Sequence, residues 1–463
     1  MTTDDPYKGY REPIRSIMQR FDVRVWSEIR AHTTRGIFAG LVLPRSETSD
    51  AEHLVLKLVS GYNLGLRAET IESLEKLGYK EAHYKIPEED FPVDPAKPRV
   101  MLFGTGGTIA SRLDYRTGAV IPAFSPGELY GSVPELADVC NLETEKLFGE
   151  FSENIGPEHY KVLAERTGQA IRDGYAGVCI GHGTDTMHHT AAALSFMVRN
   201  TPVPIVMVGS QRSSDRPSSD AARNLVHATW VAAHGPMAEV MVCMFGPTSD
   251  RYNLLHRGTR VRKMHSSVRS TFRTLGDVPL ARIEGTEFTP IHREWAARRD
   301  DRDVDIEACF DERVTILYYY PNMQPDVIDA LVDCGYRGII IAGTGLGHVN
   351  RKVYPALRRA REHGVQLYMT LQTLWGFVQM NVYETGREIL ELGVVPLANM
   401  LPEVAYVKLG WALGRHPDDP AAVEQTMTTN LAGEMTRGEP HDGYLVFQGG
   451  VPEIERFLTS IWS

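Results

Sequence analysis

The chain has 463 residues, 43% of them apolar and 23% charged, with a formal net charge of −10 at pH 7. That length exceeds what one hydrophobic core usually holds and predicts two or three domains. The acidic balance argues against a chain that grips nucleic acid unaided, since phosphate contacts need lysine and arginine, and no apolar run approaches the ~20 residues of a membrane span.

Residues 1–21 read as helical or loosely ordered. From Asp22 to Arg67 short strands are expected: Val23-Arg24-Val25-Trp26, Gly36 to Leu43 ending at Pro44, His53 to Leu58, and Tyr62 to Leu66 after the Ser60-Gly61 turn. Closely spaced strands with turn signals predict a small all-β, barrel-like domain over residues 1–85. Prolines 87, 92, 95 and 98 mark a stiff linker over 86–98.

After Arg99 the pattern becomes strand, loop, helix. Strands are expected at Arg99–Phe103, Gly177–Gly181, Val203–Val208 and Val240–Phe245, with helices at Tyr160–Arg172, Thr186–Val198 and Ser219–Ala233. Such alternation predicts a mainly parallel sheet with helices on both faces, here a large domain over 99–297. The charged run Arg298 to Asp303 begins a second linker (298–312). Beyond it, strands at Val314–Tyr320, Gly338–Ala342 and Gln366–Leu371 predict a smaller α/β domain with a tail, 313–463. The five cysteines (140, 179, 243, 309, 334) are odd in number and form no CxxC pair; three lie inside apolar runs, so buried reduced thiols in a cytosolic protein are expected. The opening Met1-Thr2-Thr3-Asp4-Asp5-Pro6 has no signal-peptide pattern. A basic stretch from Arg251 to Arg273 reads as a solvated loop or helix face.

Two apolar runs break into glycines and hydroxyls. The first gives Gly104-Thr105-Gly106-Gly107-Thr108-Ile109-Ala110 and the second His182-Gly183-Thr184-Asp185-Thr186-Met187. Just past the carboxyl end of a strand is where open α/β sheets bind ligands. The first loop has no lysine for a P-loop, and Ile109 stands where the dinucleotide fingerprint needs a small residue. What it offers is backbone N–H groups around a hydroxyl, able to hold an anion or an oxyanion. In the second loop a threonine hydroxyl needs a base. A desolvated lysine serves better than a carboxylate near neutral pH, and Lys263 in Arg260-Val261-Arg262-Lys263-Met264 is the natural candidate. A Thr–Asp–Lys set would perform acyl transfer without metal or cofactor. Asp185 could also be a helix N-cap. His182, His188 and His189 lack the i, i+4 spacing of zinc-binding helices and read as satisfied polar histidines.

The two threonine motifs, in this order and strand context, resemble the signatures of the bacterial-type L-asparaginases. The resemblance implies a large parallel-sheet domain plus a smaller α/β domain, assembled as dimers or tetramers. It implies that Thr108 is the primary nucleophile on a mobile loop, and that Tyr115 helps to activate it. Thr184 and Asp185 resemble the second threonine and the carboxylate that also engages the substrate's α-amino group. Lys263 stands nine residues before Phe272, the spacing of that family's lysine before its Thr-Phe pair. Ser152 resembles the residue that holds the α-carboxylate. Gly107 and Gly183 supply backbone N–H groups to the substrate, and no metal is implied.

One branch of that family has a front domain: the D subunit of the archaeal-type glutamyl-tRNA(Gln) amidotransferase. Leu43-Pro44-Arg45-Ser46-Glu47, Gly61-Tyr62-Asn63-Leu64-Gly65, Met380-Asn381-Val382-Tyr383 and Met400-Leu401-Pro402-Glu403 resemble it. Phe377 and Gln379 depart from its usual arginine and asparagine. The branch implies release of ammonia from glutamine or asparagine, with no cofactor in this chain. A partner, GatE-like E subunit would use ATP and Mg and make most of the tRNA contact, around a homodimer core. Left open are which threonine attacks first, which amide is the donor, a free-standing asparaginase or glutaminase, and an amino-acid-binding protein without turnover.

Overall fold

The structure, a computed structural model, describes residues 5–45, 49–58, 63–79, 93–106, 111–113, 120–122, 133–212, 218–441, 443 and 460. Helix α1 (Ile14–Arg20) leads into five antiparallel strands, β1 (Ser27–Thr33), β2 (Gly36–Val42), β3 (His53–Leu58), β4 (Asn63–Arg67) and β5 (Ile71–Tyr79), ordered β4-β3-β2-β1-β5. The alternation at Val23 and Val25 is real, since both are buried, but these residues form a turn instead of the expected strand. Trp26 has φ +73° and the Arg24 N–H donates to Ser27 Oγ, so the strand begins at Ser27. Strand β5, absent from the sequence expectation, pairs with β1 along its length. The Tyr10 hydroxyl donates to the Leu43 carbonyl and accepts from the Val55 N–H, joining the leading segment to the sheet.

The large α/β part follows. Its elements are β6 (Arg99–Gly104), the ribbon β7 (Ser111–Leu113) with β8 (Val120–Pro122), β9 (Asn141–Lys146), helix α2 (Pro157–Arg172), β10 (Gly177–Gly181), α3 (Met187–Met197), β11 (Val198–Arg199), β12 (Ile205–Val208), α4 (Ala221–His234), β13 (Val240–Phe245), β14 (Asn253–Arg257), β15 (Val261–Lys263), β16 (Phe272–Thr274), β17 (Ala281–Glu284), β18 (Glu287–Pro290) and β19 (Asp305–Ile306). The main sheet runs β18-β17-β14-β13-β12-β10-β6-β9. Strands β13 to β9 are parallel, whereas β14, β17 and β18 are antiparallel, so the sheet is mixed at one edge. The strands alternate between two cores, as a pleat requires. Val178, Ile180, Ile205 and Met207 pack with α2 and α3, while Cys179, Val206 and Val208 pack with α4.

The charged run at 298–303 is bound to the large part. Arg298 donates to the carbonyls of Ala233, Gly235 and Ala176, and β19 pairs with β11. The last part holds a parallel sheet, β20 (Val314–Tyr318), β21 (Gly338–Gly343), β22 (Gln366–Leu371) and β23 (Val395–Pro396), with helices α5 (Asp326–Asp333), α6 (Tyr354–Glu362), α7 (Glu384–Glu391), α8 (Pro402–Arg415) and α9 (Pro420–Thr428). Helix α8 packs on α3, with Trp411 stacked on Phe196 at 5.8 Å between ring centroids. One core therefore spans both α/β layers. Among the described residues no helix is long and apolar enough to cross a membrane.

Candidate functional site

Strands β6 and β10 are neighbours in parallel register, with Gly104 opposite Gly181. The two glycine–threonine loops therefore leave the sheet side by side at its carboxyl edge, where open α/β sheets place ligands. The first loop is tied to the second strand: Thr105 donates its N–H and its hydroxyl to the Gly181 carbonyl at 3.1 and 2.9 Å. Gly106 has φ +115°, and a Cβ there would lie 2.2 Å from the Glu150 carbonyl oxygen, so only glycine fits. Gly107, Thr108 and Tyr115 lie outside the described residues.

In the second loop His182 is fully buried. Its ring nitrogens lie 2.7 Å from the Gly183 carbonyl and 2.9 Å from Thr190 Oγ1, and burial pushes its pKa down to about 4. Ser152 packs over Gly183, where an added Cβ would sit 2.8 Å from Ser152 Cβ and 3.0 Å from its Oγ. The Thr186 hydroxyl donates to the Ser152 carbonyl. Thr184 is buried. Asp185 is exposed and is not the helix cap: the cap position of α3 falls on Thr186, with no side-chain cap bond.

Lys263 ends β15, held in register with Phe272 of β16. Its Nζ donates to Thr184 Oγ1 at 2.9 Å and to Asp185 Oδ1 at 2.6 Å. Only 10% of the Lys263 side chain is exposed, against 69% for Asp185, so the lysine is largely buried and the carboxylate lies at the surface. The structure thus brings Ser152, Gly183, Thr184, Asp185 and Lys263 together. Chemically the arrangement offers a hydroxyl with a nitrogen base in reach and a carboxylate that fixes the base.

The basic stretch around Lys263 is solvated only in part: Arg251 and residues 265–267 are exposed, whereas two of its arginines are not. Arg260 and Arg273 are buried. Arg260 Nη1 donates to the Asn399 and Glu434 carbonyls, and Arg257 makes a two-pronged contact with Glu239. These arginines are drawn in by backbone carbonyls and carboxylates that only the folded chain assembles.

A third loop also abuts the site. Gly209 follows β12, and a Cβ on it would lie 2.7 Å from the His182 carbonyl and 2.9 Å from Thr184 Cγ2. The buried Asp220 carboxylate accepts the N–H groups of Gln211 and Arg212, and Asn224 donates to the Gly209 carbonyl. Burial raises the Asp220 pKa against the pull of these hydrogen bonds. The signal was in the sequence, because Val208-Gly209-Ser210 repeats the pattern of an apolar run broken by glycine and a hydroxyl. Among the described residues no group of His, Cys, Asp and Glu could hold a metal.

Comparison with known proteins matches three family models. They are the Asparaginase N-terminal domain over residues 99–295, the Glutaminase/Asparaginase C-terminal domain over 313–427, and the GatD N-terminal domain over 23–77. The chain is 47% identical to the D subunit of the glutamyl-tRNA(Gln) amidotransferase of Thermococcus kodakarensis, over 94% of this chain and 100% of that one. It is 45% identical to the D subunit of the Methanopyrus kandleri amidotransferase, over 94% and 98% respectively. Among solved structures, the thermostable L-asparaginase of Thermococcus kodakarensis matches with a TM-score of 0.64 and 31% identity, covering 73% of this chain and 99% of that one. The L-asparaginase I of Vibrio cholerae matches with a TM-score of 0.63 and 27% identity, covering 74% and 100%. An asparaginase-like α/β body behind an antiparallel front domain, matched along nearly its whole length, leads to one assignment: the chain belongs to the family of glutamyl-tRNA(Gln) amidotransferase D subunits.

Proposed function

We propose that this chain releases ammonia from the side-chain amide of glutamine or asparagine as the amidohydrolase subunit of a tRNA-dependent amidotransferase. A partner E subunit, using ATP and Mg, would accept the ammonia to convert Glu-tRNA(Gln) to Gln-tRNA(Gln). In this scheme the tRNA is held mainly by the partner, the D subunits form a homodimer core, and the complex works in the cytoplasm. The observation that carries the hydrolytic half is the Lys263 amine bridging Thr184 and Asp185 at the carboxyl edge of the sheet.

A threonine hydroxyl attacks the amide carbon, and the C–N bond breaks as ammonia takes a proton. Water then cleaves the acyl-enzyme to glutamate or aspartate. Thr108, on the first loop, is proposed as the first nucleophile, assisted by Tyr115. Thr184, Lys263 and Asp185 then move the protons and activate the water. Once Lys263 has lost its proton, the 2.9 Å contact reverses and the Thr184 hydroxyl donates to the amine. In this scheme backbone N–H groups of the two glycine-rich loops, Gly107 and Gly183 among them, would stabilise the oxyanion, each such donor being worth ~3–4 kcal/mol of barrier. Ser152, packed on Gly183, holds the α-carboxylate. The alternative, in which Thr184 attacks first, is favoured by the same Lys263 contact. Trapping the acyl-enzyme separates the two: Thr108→Ala loses the acyl mass under the first scheme and keeps it under the second.

The test is ammonia release from each amide, with and without the partner subunit and mischarged tRNA. Release coupled to Gln-tRNA(Gln) formation in the full mixture supports the amidotransferase. Full hydrolysis that ignores partner and tRNA makes the chain a free-standing asparaginase or glutaminase. No release under any condition overturns the enzymatic reading.

A further inference from the structure

The amine that reaches Thr184 rides on a short ribbon. Among the described residues, strands β15 and β16 pair only with each other, through three residue pairs, outside the main sheet. A two-stranded hairpin is marginal by itself, so its place is set by what its base is tied to. Val261 and Phe272 are buried in the core, and the His256 ring of β14 lies 2.8 Å from Thr274 Oγ1. The other ties come from the far end of the chain.

The segment after α9, residues 430–441, runs along the base of the ribbon. The Thr259 hydroxyl donates to the Ala432 carbonyl at 2.8 Å, and a Cβ on Gly433 would lie 2.6 Å from Arg257 Cδ. Arg260 Nη1 donates to the Glu434 carbonyl at 3.1 Å and to the Asn399 carbonyl, on the loop before α8, at 2.9 Å. The Glu434 side chain is itself held, by Lys408 Nζ at 2.5 Å and by the N–H groups of Leu431 and Ala432. Asn399 and Thr436 bond twice: Nδ2 donates to Oγ1 at 2.6 Å, and the Thr436 N–H donates to Oδ1 at 3.0 Å. Glu439 Oε1 accepts the Gly376 N–H at 2.8 Å. Arg260 Nη2, Glu439 Oε1 and Asn399 Nδ2 converge on Gly276, just past β16, where a Cβ would lie 2.1, 2.8 and 3.3 Å from them.

Arg260 is fully buried, and its Nε and Nη2 have no hydrogen-bond partner. A buried guanidinium with two idle nitrogens is costly. What it secures is the grip of its third nitrogen on two other segments. From Arg260 the strand carries this anchorage to Lys263, three residues and about 10 Å further on.

We propose that residues 432–439 form a strap that positions the Lys263 ribbon, with Arg260 as the buried peg to which the strap and the Asn399 loop are fastened. Arg260, Thr436 and Glu439 are positioning residues. They act on the reaction through the place of Lys263 Nζ beside Thr184 Oγ1. Ser152, which holds the substrate α-carboxylate in the function proposed above, stands on another element. A loosened strap therefore slows proton transfer and leaves binding almost unchanged.

The inference rests on that function, and its test has an arm that does not. Arg260 is too deep to replace without disturbing the fold, so the variants are made at half-buried residues of the strap: Thr436→Val, Glu439→Ala and Glu439→Gln. Ammonia release by the complex with the partner subunit and mischarged tRNA is measured for each. Hydrogen exchange of the full-length chain is followed in parallel by peptide mass mapping, which needs no turnover. A shift of about 1 Å in a reacting group costs roughly 100-fold in rate, so the smaller shift from one lost tie is expected to lower kcat about threefold to tenfold in Thr436→Val and Glu439→Ala. KM stays within about threefold. Glu439→Gln, whose amide oxygen still accepts the Gly376 N–H, stays within about twofold of the wild type. Amides of residues 258–276 exchange about fivefold faster in Thr436→Val and Glu439→Ala, the worth of one hydrogen bond, while those of strands β1 to β5 do not change. Unchanged exchange in 258–276, faster exchange there with kcat kept, a rise in exchange spread over the whole chain, a change in KM alone, or a Glu439→Gln variant as slow as Glu439→Ala overturns the proposal. A wild-type complex that releases no ammonia removes the proposed function, and the exchange arm then decides whether the strap fixes the ribbon.

Discussion

Lys263 and Thr184 lie 79 positions apart in the chain, yet the amine donates to the hydroxyl at 2.9 Å and shares its charge with Asp185 next door. A positioned base contributes roughly 10²–10⁴-fold to proton transfer. Thr184→Ala and Lys263→Ala are each expected to lower ammonia release by at least that factor while circular dichroism stays unchanged. Near-normal turnover in both variants would remove this set from the chemistry.

Gly209 touches the site through space that only a hydrogen can occupy. Gly209→Ala puts a methyl group 2.9 Å from Thr184 Cγ2 and 2.7 Å from the His182 carbonyl. The expected outcome is a fall in kcat of tenfold or more, with destabilisation of about 1–3 kcal/mol from overpacking. Steady-state kinetics and denaturant unfolding of the same preparation check both halves.

Lys408 and Glu434 form an ion pair with neither side chain exposed. Lys408 also donates to the carbonyls of Met427 and Thr429, and Glu434 accepts the N–H groups of Leu431 and Ala432. Lys408→Met leaves the carboxylate buried without its cation, a loss of about 3–5 kcal/mol. Adding Glu434→Gln recovers part of that loss, because the amide oxygen still accepts from the backbone. Equal stability of the single and double variants would contradict this account.

Buried imidazoles make the fold sensitive to acid. Burial pushes His182 and His189 down to about 4 and His256 down to about 3. Below an unfolded value of ~6.5 the unfolded chain takes up protons that the folded chain refuses. Stability is therefore full above that value and falls steadily as pH drops toward 4. The thermal midpoint is expected to fall between pH 6.5 and 4.5, with a shallower slope in His182→Gln. A midpoint independent of pH in that window would refute the neutral, buried state.

The strands were legible wherever local pattern decides structure. His53–Leu58 and Gln366–Leu371 match the structure residue for residue, because an alternating or mostly apolar run between turn signals has few other ways to fold. Trp26 misled, since a turn can also bury every second side chain. The antiparallel edge β14, β17 and β18 was hidden, because short strands between turns carry no mark of direction. Asp185 carried the residue type of a helix cap, but the pull of Lys263 is a long-range contact that no local pattern records. The third loop, at Gly209, repeats the strand–glycine–hydroxyl pattern of the other two.

Taken alone, the order of residues determined that two glycine- and threonine-rich turns would follow buried strands, because periodicity and turn chemistry act over a few neighbours. Tertiary structure decided that the strands leading into those turns are neighbours, that an amine from a distant hairpin meets the Thr184 hydroxyl, and that Arg260 and Arg273 of a basic run lie buried. Those outcomes depend on strand order and on which carbonyls and carboxylates fold into reach, and sequence spacing does not encode that proximity.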